Sequence, residues 1–150
     1  AIRDMYEEGL VFSEISERVL KMRDEQQTYF VIDTLEPLRK NGRLTGLQAF
    51  FATALNIKPV MGATDQGVII QLGQARGMQK ALRLMAETIT AELEHPEEKV
   101  LGLVHCNNPE RAEYVKQELM KLVKVKDIIV LESSGVSTLY AAQGGIIIAV

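Results

Sequence analysis

Two hydrophobic rhythms alternate along this chain, one at helical spacing and one in short continuous runs. Ile2, Met5 and Tyr6 place the start of the chain inside an amphipathic helix. Ser13 then stands as an N-cap, with Ile15, Val19, Leu20 and Met22 following at helical spacing. Residues 28–33 read as a buried strand. Residues 35–40 form a short helix stopped by Asn41-Gly42, and an apolar helix is predicted over about residues 46–55. Residues 58–63 and 68–73 read as two strands joined around Asp65-Gln66-Gly67, a hairpin signal. The longest helix covers residues 77–94, with Met78, Leu82, Met85, Ala86, Ile89 and Leu93 on one face.

In the second half, residues 100–104 form a strand, and Asn108-Pro109 opens a helix, Asn as cap and Pro in the first turn. That helix runs to about residue 122 and turns Ala112, Val115, Leu119 and Leu122 inward. A strand follows at 127–131. A polar, glycine-bearing loop over 133–144 then leads to a last strand at 146–150. Alternating helices and strands with a hairpin predict an α/β domain, a mixed sheet flanked by helices. No internal repeat or low-complexity linker interrupts it.

The 150 residues suit one domain with one substantial core. The net charge of -3 argues against a broad nucleic-acid footprint, because the phosphate backbone rewards a basic face. No apolar run is long enough to span a bilayer, and no charged-then-apolar leader is read at the start. The single cysteine, Cys106, suits a reducing cytoplasm, where the protein is expected. Starting at Ala1 is compatible with methionine removal or with a fragment of a longer protein.

Arg43 lies in Asn41-Gly42-Arg43-Leu44-Thr45-Gly46, directly before the apolar run from Leu47 to Ala52. A fixed cation on a glycine-flanked turn, followed by an apolar helix, suits an amphiphilic anion. The guanidinium fork matches a carboxylate or phosphate, and the tail can lie along the helix. The alternative is a solvated turn residue beside an ordinary amphipathic helix.

Other candidates are weaker. A nucleophilic cysteine needs a base placed in space and an orienting third group, which adjacent His105-Cys106 seldom provide. Cys106 reads as a packed thiol, and His105 as a residue that caps the next helix or orients its loop. His95 sits among Glu94, Glu97 and Glu98, a solvated surface stretch without further metal ligands. The 133–144 loop offers hydroxyls and glycine-freed amides but fits neither nucleotide-binding glycine pattern. Arg76 and Lys80, near a helix start, are further anion contacts of low specificity.

Taken together, four blocks resemble the C-terminal domain of the DegV family. They are Phe30-Val31-Ile32-Asp33-Thr34-Leu35-Glu36 with Lys40-Asn41-Gly42-Arg43-Leu44-Thr45-Gly46; Leu55-Asn56-Ile57-Lys58-Pro59-Val60; Ala75-Arg76-Gly77 with Lys80-Ala81-Leu82; and Val104-His105-Cys106-Asn107-Asn108-Pro109-Glu110. The resemblance implies the C-terminal lipid-binding domain of a two-domain protein that binds a long-chain fatty acid between its domains. It further implies that the acyl carboxylate is presented to a separate fatty-acid kinase, without catalytic machinery or a cofactor in the carrier itself. Arg43 would hold the head group, and Phe50, Phe51, Ala54 and Leu55 would line the acyl tunnel. Many members carry histidine-threonine-glycine-proline-glycine before the final strand; this chain has Tyr140-Ala141-Ala142-Gln143-Gly144 there. Tyr140 falls where the head-group histidine would be, with Thr138 in the same loop counted among the ligand contacts. A phenol donates one hydrogen bond but carries no positive charge near neutral pH. Without the family's N-terminal domain the chain would present half a site and a greasy face prone to self-association. Two other readings stand beside this one: an acyl- or phosphoryl-substrate enzyme using Ser133 to Tyr140, and a ligand-free interaction domain.

Overall fold

The computed structural model describes residues 1–44 and 56–150; the apolar helix expected over 46–55 lies outside the described residues. In chain order the elements are α1 (Ile2–Glu7), α2 (Phe12–Glu25), β1 (Thr28–Val31), α3 (Glu36–Lys40), β2 (Ile57–Ala63), β3 (Ile69–Arg76), α4 (Met78–Glu92), β4 (Val100–His105), α5 (Pro109–Leu122), β5 (Asp127–Glu132), α6 (Gly135–Ala141) and β6 (Ile146–Ala149). A 3₁₀ turn, Pro96–Glu98, precedes β4. The six strands form one mixed sheet in the order β3-β2-β1-β6-β4-β5. β4 and β5 run parallel, and the other pairings are antiparallel. The expected α/β class, a mixed sheet flanked by helices, is what the chain adopts.

β1 and β6 sit side by side at the centre, with both edges paired and apolar side chains on both faces. Side chains alternate across a strand, which sorts these two short segments into two apolar clusters. Tyr29, Val31, Ile146 and Ile148 join Leu101 and Leu103 of β4 against Leu82, Met85 and Ile89 of α4 and Val115 and Leu119 of α5. Phe30, Ile32 and Ile147 belong to a second cluster. Gly77, at φ +86, provides the left-handed step that turns β3 into α4. Asn108 caps α5, its Oδ1 accepting from the Arg111 amide at 3.0 Å. The hairpin forms as expected, with Gly67 at φ +75, and a register shift between Val60 and Met61 marks a bulge in β2.

Four expectations change. Val11, not Ser13, occupies the N-cap of α2, where the Glu14 carboxylate accepts from the Val11 amide at 3.0 Å. Leu20 and Met22 of that helix are exposed, and neither α1 nor α2 buries a residue completely. Leu122 is 44% exposed, because it ends α5 beyond the stripe that meets the sheet. Residues 133–144 are not a plain loop: they contain α6. Its sequence is rich in weak helix formers, and a seven-residue helix has little stability of its own. The burial of Ala141 and the packing of Tyr140 against the second cluster provide what propensity does not.

Tyr29 ties the sheet to α4, its hydroxyl donating to Glu92. Burial, then the hydrogen bond and charge of Glu92, push the phenol well above its ordinary range. A phenol raised in the folded state contributes stability that is complete below its unfolded value, about pH 10, and is lost as pH rises beyond it. Thermal melts of wild type and Tyr29→Phe are expected to differ by about 1–2 kcal/mol at neutral pH. The difference should shrink above roughly pH 10. Leu103→Ala, which empties a fully buried site, is expected to cost about 2–5 kcal/mol in a urea titration.

Candidate ligand-binding site

The second cluster lies on the sheet face away from α4 and α5. Ile32, Leu38, Leu44, Met61, Cys106 and Ala141 are buried in it, and Phe30, Leu35, Ile69, Tyr140 and Ile147 pack against them. Two short helices border it, α3 and α6, and they pack on one another.

α3 begins where Thr34 Oγ1 accepts from the Glu36 amide at 3.2 Å, with Pro37 in its first turn. It stops at Asn41, and Gly42 takes φ +67. The Arg43 amide then donates back to the Leu38 carbonyl at 2.9 Å, closing the turn. Arg43 is exposed, and the next residue, Leu44, is buried in the cluster. The arginine therefore stands between a closed helix end and an apolar anchor.

On α6, Tyr140 is half-buried against the same cluster. Thr138 is exposed, and its hydroxyl lies 3.0 Å from that of Ser133. The turn after α6 is fastened to the end of β4: the Gly144 amide donates to the Cys106 carbonyl at 2.8 Å, and the Cys106 amide to the Gly145 carbonyl at 3.0 Å. The segments carrying Arg43 and Tyr140 thus meet at one apolar cluster. Phe50, Phe51, Ala54 and Leu55 lie outside the described residues.

A polar junction absent from the sequence reading joins these segments. Arg111 Nη1 donates to Asp33 Oδ2 at 2.7 Å and also to the Gly144 carbonyl. Lys58 Nζ donates to the Asp33 carbonyl at 2.8 Å and lies 3.5 Å from Asp33 Oδ1. Asp33 and Arg111 are 78 residues apart. Their pairing depends on the β1–β6–β4 order, which no local pattern encodes. The available signal was indirect, since Asp33 lies within the Phe30-Val31-Ile32-Asp33-Thr34-Leu35-Glu36 block.

His105 is buried, and its Nδ1 accepts from the Asn108 amide at 3.3 Å, orienting the loop before α5. Cys106 is a buried free thiol, packed as expected. Among the described residues no hydrogen bond joins His105 to a hydroxyl of the 133–140 segment, and no group of His, Cys, Asp and Glu has the geometry to hold a metal ion. His95 is exposed at φ +48 ahead of the 3₁₀ turn. Arg76 and Lys80 are exposed, at the end of β3 and the start of α4. A cleft of about 660 Å³ lies at the opposite end of β1, lined by Lys21, Thr28, Tyr29, Glu92 and Val150 among others. It contains neither Arg43 nor Tyr140. No helix among the described residues is long and apolar enough to cross a membrane.

The family model described as "Uncharacterised protein, DegV family" matches residues 1–150. The chain belongs to the DegV family. A DegV domain-containing protein of Streptococcus pyogenes is 30% identical over 139 residues, 93% of this chain and 49% of the relative. A DegV family structure from Ruminococcus gnavus, described with vaccenic acid, superposes with a TM-score of 0.93 at 45% identity, covering 99% of this chain and 53% of that one. The Streptococcus pneumoniae fatty acid kinase (Fak) B3 protein, loaded with linoleic acid, gives a TM-score of 0.85 at 25% identity, over 99% of this chain and 52% of its own. The DegV chain described here spans about half the length of the curated relatives it matches.

The left-handed Gly144, at φ +84, is where the junction is least tolerant. A Cβ there would run into Asp33 Oδ2 and come within 2.7 Å of Arg111 Nη1. Gly144→Ala is expected to cost roughly 1–3 kcal/mol from backbone conformation alone, read as a lowered midpoint in thermal melting.

Proposed function

We propose that this chain is the C-terminal, lipid-binding half of a two-domain cytoplasmic carrier of long-chain fatty acids. The observation that carries the reading is the turn in which exposed Arg43 is followed by buried Leu44, at the rim of an apolar cluster shared with Tyr140. A guanidinium there meets a carboxylate with two parallel donors, and the acyl chain continues along apolar surface. Tyr140 and Thr138 add neutral hydrogen bonds to the head group. Phe50, Phe51, Ala54 and Leu55 line the acyl chain's path. The ligands described for family structures, vaccenic, heptadecanoic and linoleic acid, are all long monocarboxylic acids. One of those relatives is described as a fatty acid kinase B3 protein, which supports a kinase as the partner that receives the bound carboxylate. The carrier contributes binding and presentation, with no cofactor, and the kinase performs the phosphoryl transfer.

Removing the ion pair tests the anchor. In the full-length protein, Arg43→Ala is expected to weaken fatty-acid binding by about 1.5–3 kcal/mol, roughly 10- to 150-fold. Affinity for the methyl ester should change much less. Equal affinity of mutant and parent for the free acid would remove Arg43 as the anchor.

Ile129 and Leu131 of β5 and Val136 and Leu139 of α6 are large exposed apolar side chains. The other half of the protein is expected to cover apolar surface of this kind. Sedimentation of the isolated chain should accordingly show mass rising with concentration. The full-length protein should show a smaller dependence.

A further inference from the structure

Arg111 stands on the first turn of α5, outside both segments to which head-group contacts are assigned, yet it holds a residue flanking each of them. On one side its Nη1 holds Asp33, in the four-residue link between β1 and α3. From Asp33 the chain runs through α3 to Arg43 without a long loop. On the other side the same nitrogen holds the carbonyl of Gly144, three residues after α6 ends. One guanidinium thus bridges the two short segments that present Arg43 and Tyr140. Its side chain is 20% exposed and that of Asp33 38%, so the pair is better shielded than an ordinary surface ion pair. There is also a charge consequence. A bare Asp33 carboxylate between these segments would repel an incoming acid. Arg111 and Lys58 together convert that position to a net positive one.

We propose that Arg111 is a positioning residue for the ligand carboxylate: it fixes the spacing of the Arg43 turn and the Tyr140 helix and masks the Asp33 charge beside them. This rests on the head-group reading of Arg43 and Tyr140 given above. Arg111 acts through other residues rather than by touching the ligand. A lysine replaces it only in part: an ammonium can also serve two acceptors, but it rotates on a flexible stem, whereas the two hydrogens of Nη1 are fixed in the guanidinium plane.

The test uses the full-length protein, with vaccenate as the acid and vaccenyl alcohol as a neutral analogue of equal length. Melting temperatures are recorded alongside the affinities. Arg111→Ala is expected to weaken vaccenate binding about 5- to 50-fold while changing alcohol binding by less than about twofold. In an Arg43→Ala background the same substitution should cost clearly less than in the parent, since the part of its effect that runs through Arg43 is gone and only the Tyr140 contact and the Asp33 charge remain. Arg111→Lys should give an intermediate loss of vaccenate affinity, and it carries the test if the alanine variant does not fold. Parent-like vaccenate affinity in the Arg111 variants would overturn the proposal. So would equal losses for acid and alcohol, which would mark a purely structural role, or a full additional penalty in the Arg43→Ala background. If Arg43→Ala alone leaves vaccenate affinity unchanged, the head-group reading itself fails. An acid-selective loss from Arg111→Ala in that case would make Arg111 a direct contact, contrary to the proposal.

Discussion

The apolar packing on both faces of β1 and β6, complete on one and partial on the other, is the constraint on which the rest of the molecule depends. These are four-residue strands at the middle of the sheet, one face of each fully buried and the other partly covered. Alternation sends Ile146 and Ile148 toward α4 and α5 and Ile147 the other way. A slip of one residue would exchange the two sets, which makes the register hard to shift. Once it is fixed, the ends of β1 and β6 bring the Asp33 carboxylate and the Gly144 carbonyl close enough for one arginine to hold both.

The two faces do different work. The first is packed by the long helices α4 and α5 and contains most of the fully buried large side chains of the core, Met61 of the second cluster being the exception. The second is covered by short helices, α3 and α6, with polar residues at its rim. Short helices depend on tertiary contacts for their stability, so the geometry of that rim depends on fastenings such as the Arg43 amide to Leu38 and the Gly144 amide to Cys106. This face combines apolar surface with a few fixed donors, the combination that the proposed long-chain acid would require.

Much of the fold was legible because periodicity is a local signal. The stripe on α4, the Asn108-Pro109 helix start, the Gly67 hairpin and the strand at 100–104 are each encoded within a few residues. α6 was not legible, since Ser, Thr and Val between glycines read as loop, and only packing of Tyr140 and Ala141 makes the segment helical. Arg43 was singled out as a proposed contact by its turn chemistry and Tyr140 by the resemblance alone. The Asp33–Arg111 junction could not, because it joins residues on β1's exit and α5 that meet only through the sheet order. His105 went as read: its ring serves the loop ahead of α5.

The most direct measurement of the central claim is native mass spectrometry of the full-length protein purified from its own host, followed by lipid extraction of any bound mass. The expected result is a stoichiometric adduct that extracts as a long-chain fatty acid, identifying the natural chain. A clean apo mass that takes up no added fatty acid would contradict the carrier account and leave the apolar face of α3 and α6 to a macromolecular partner.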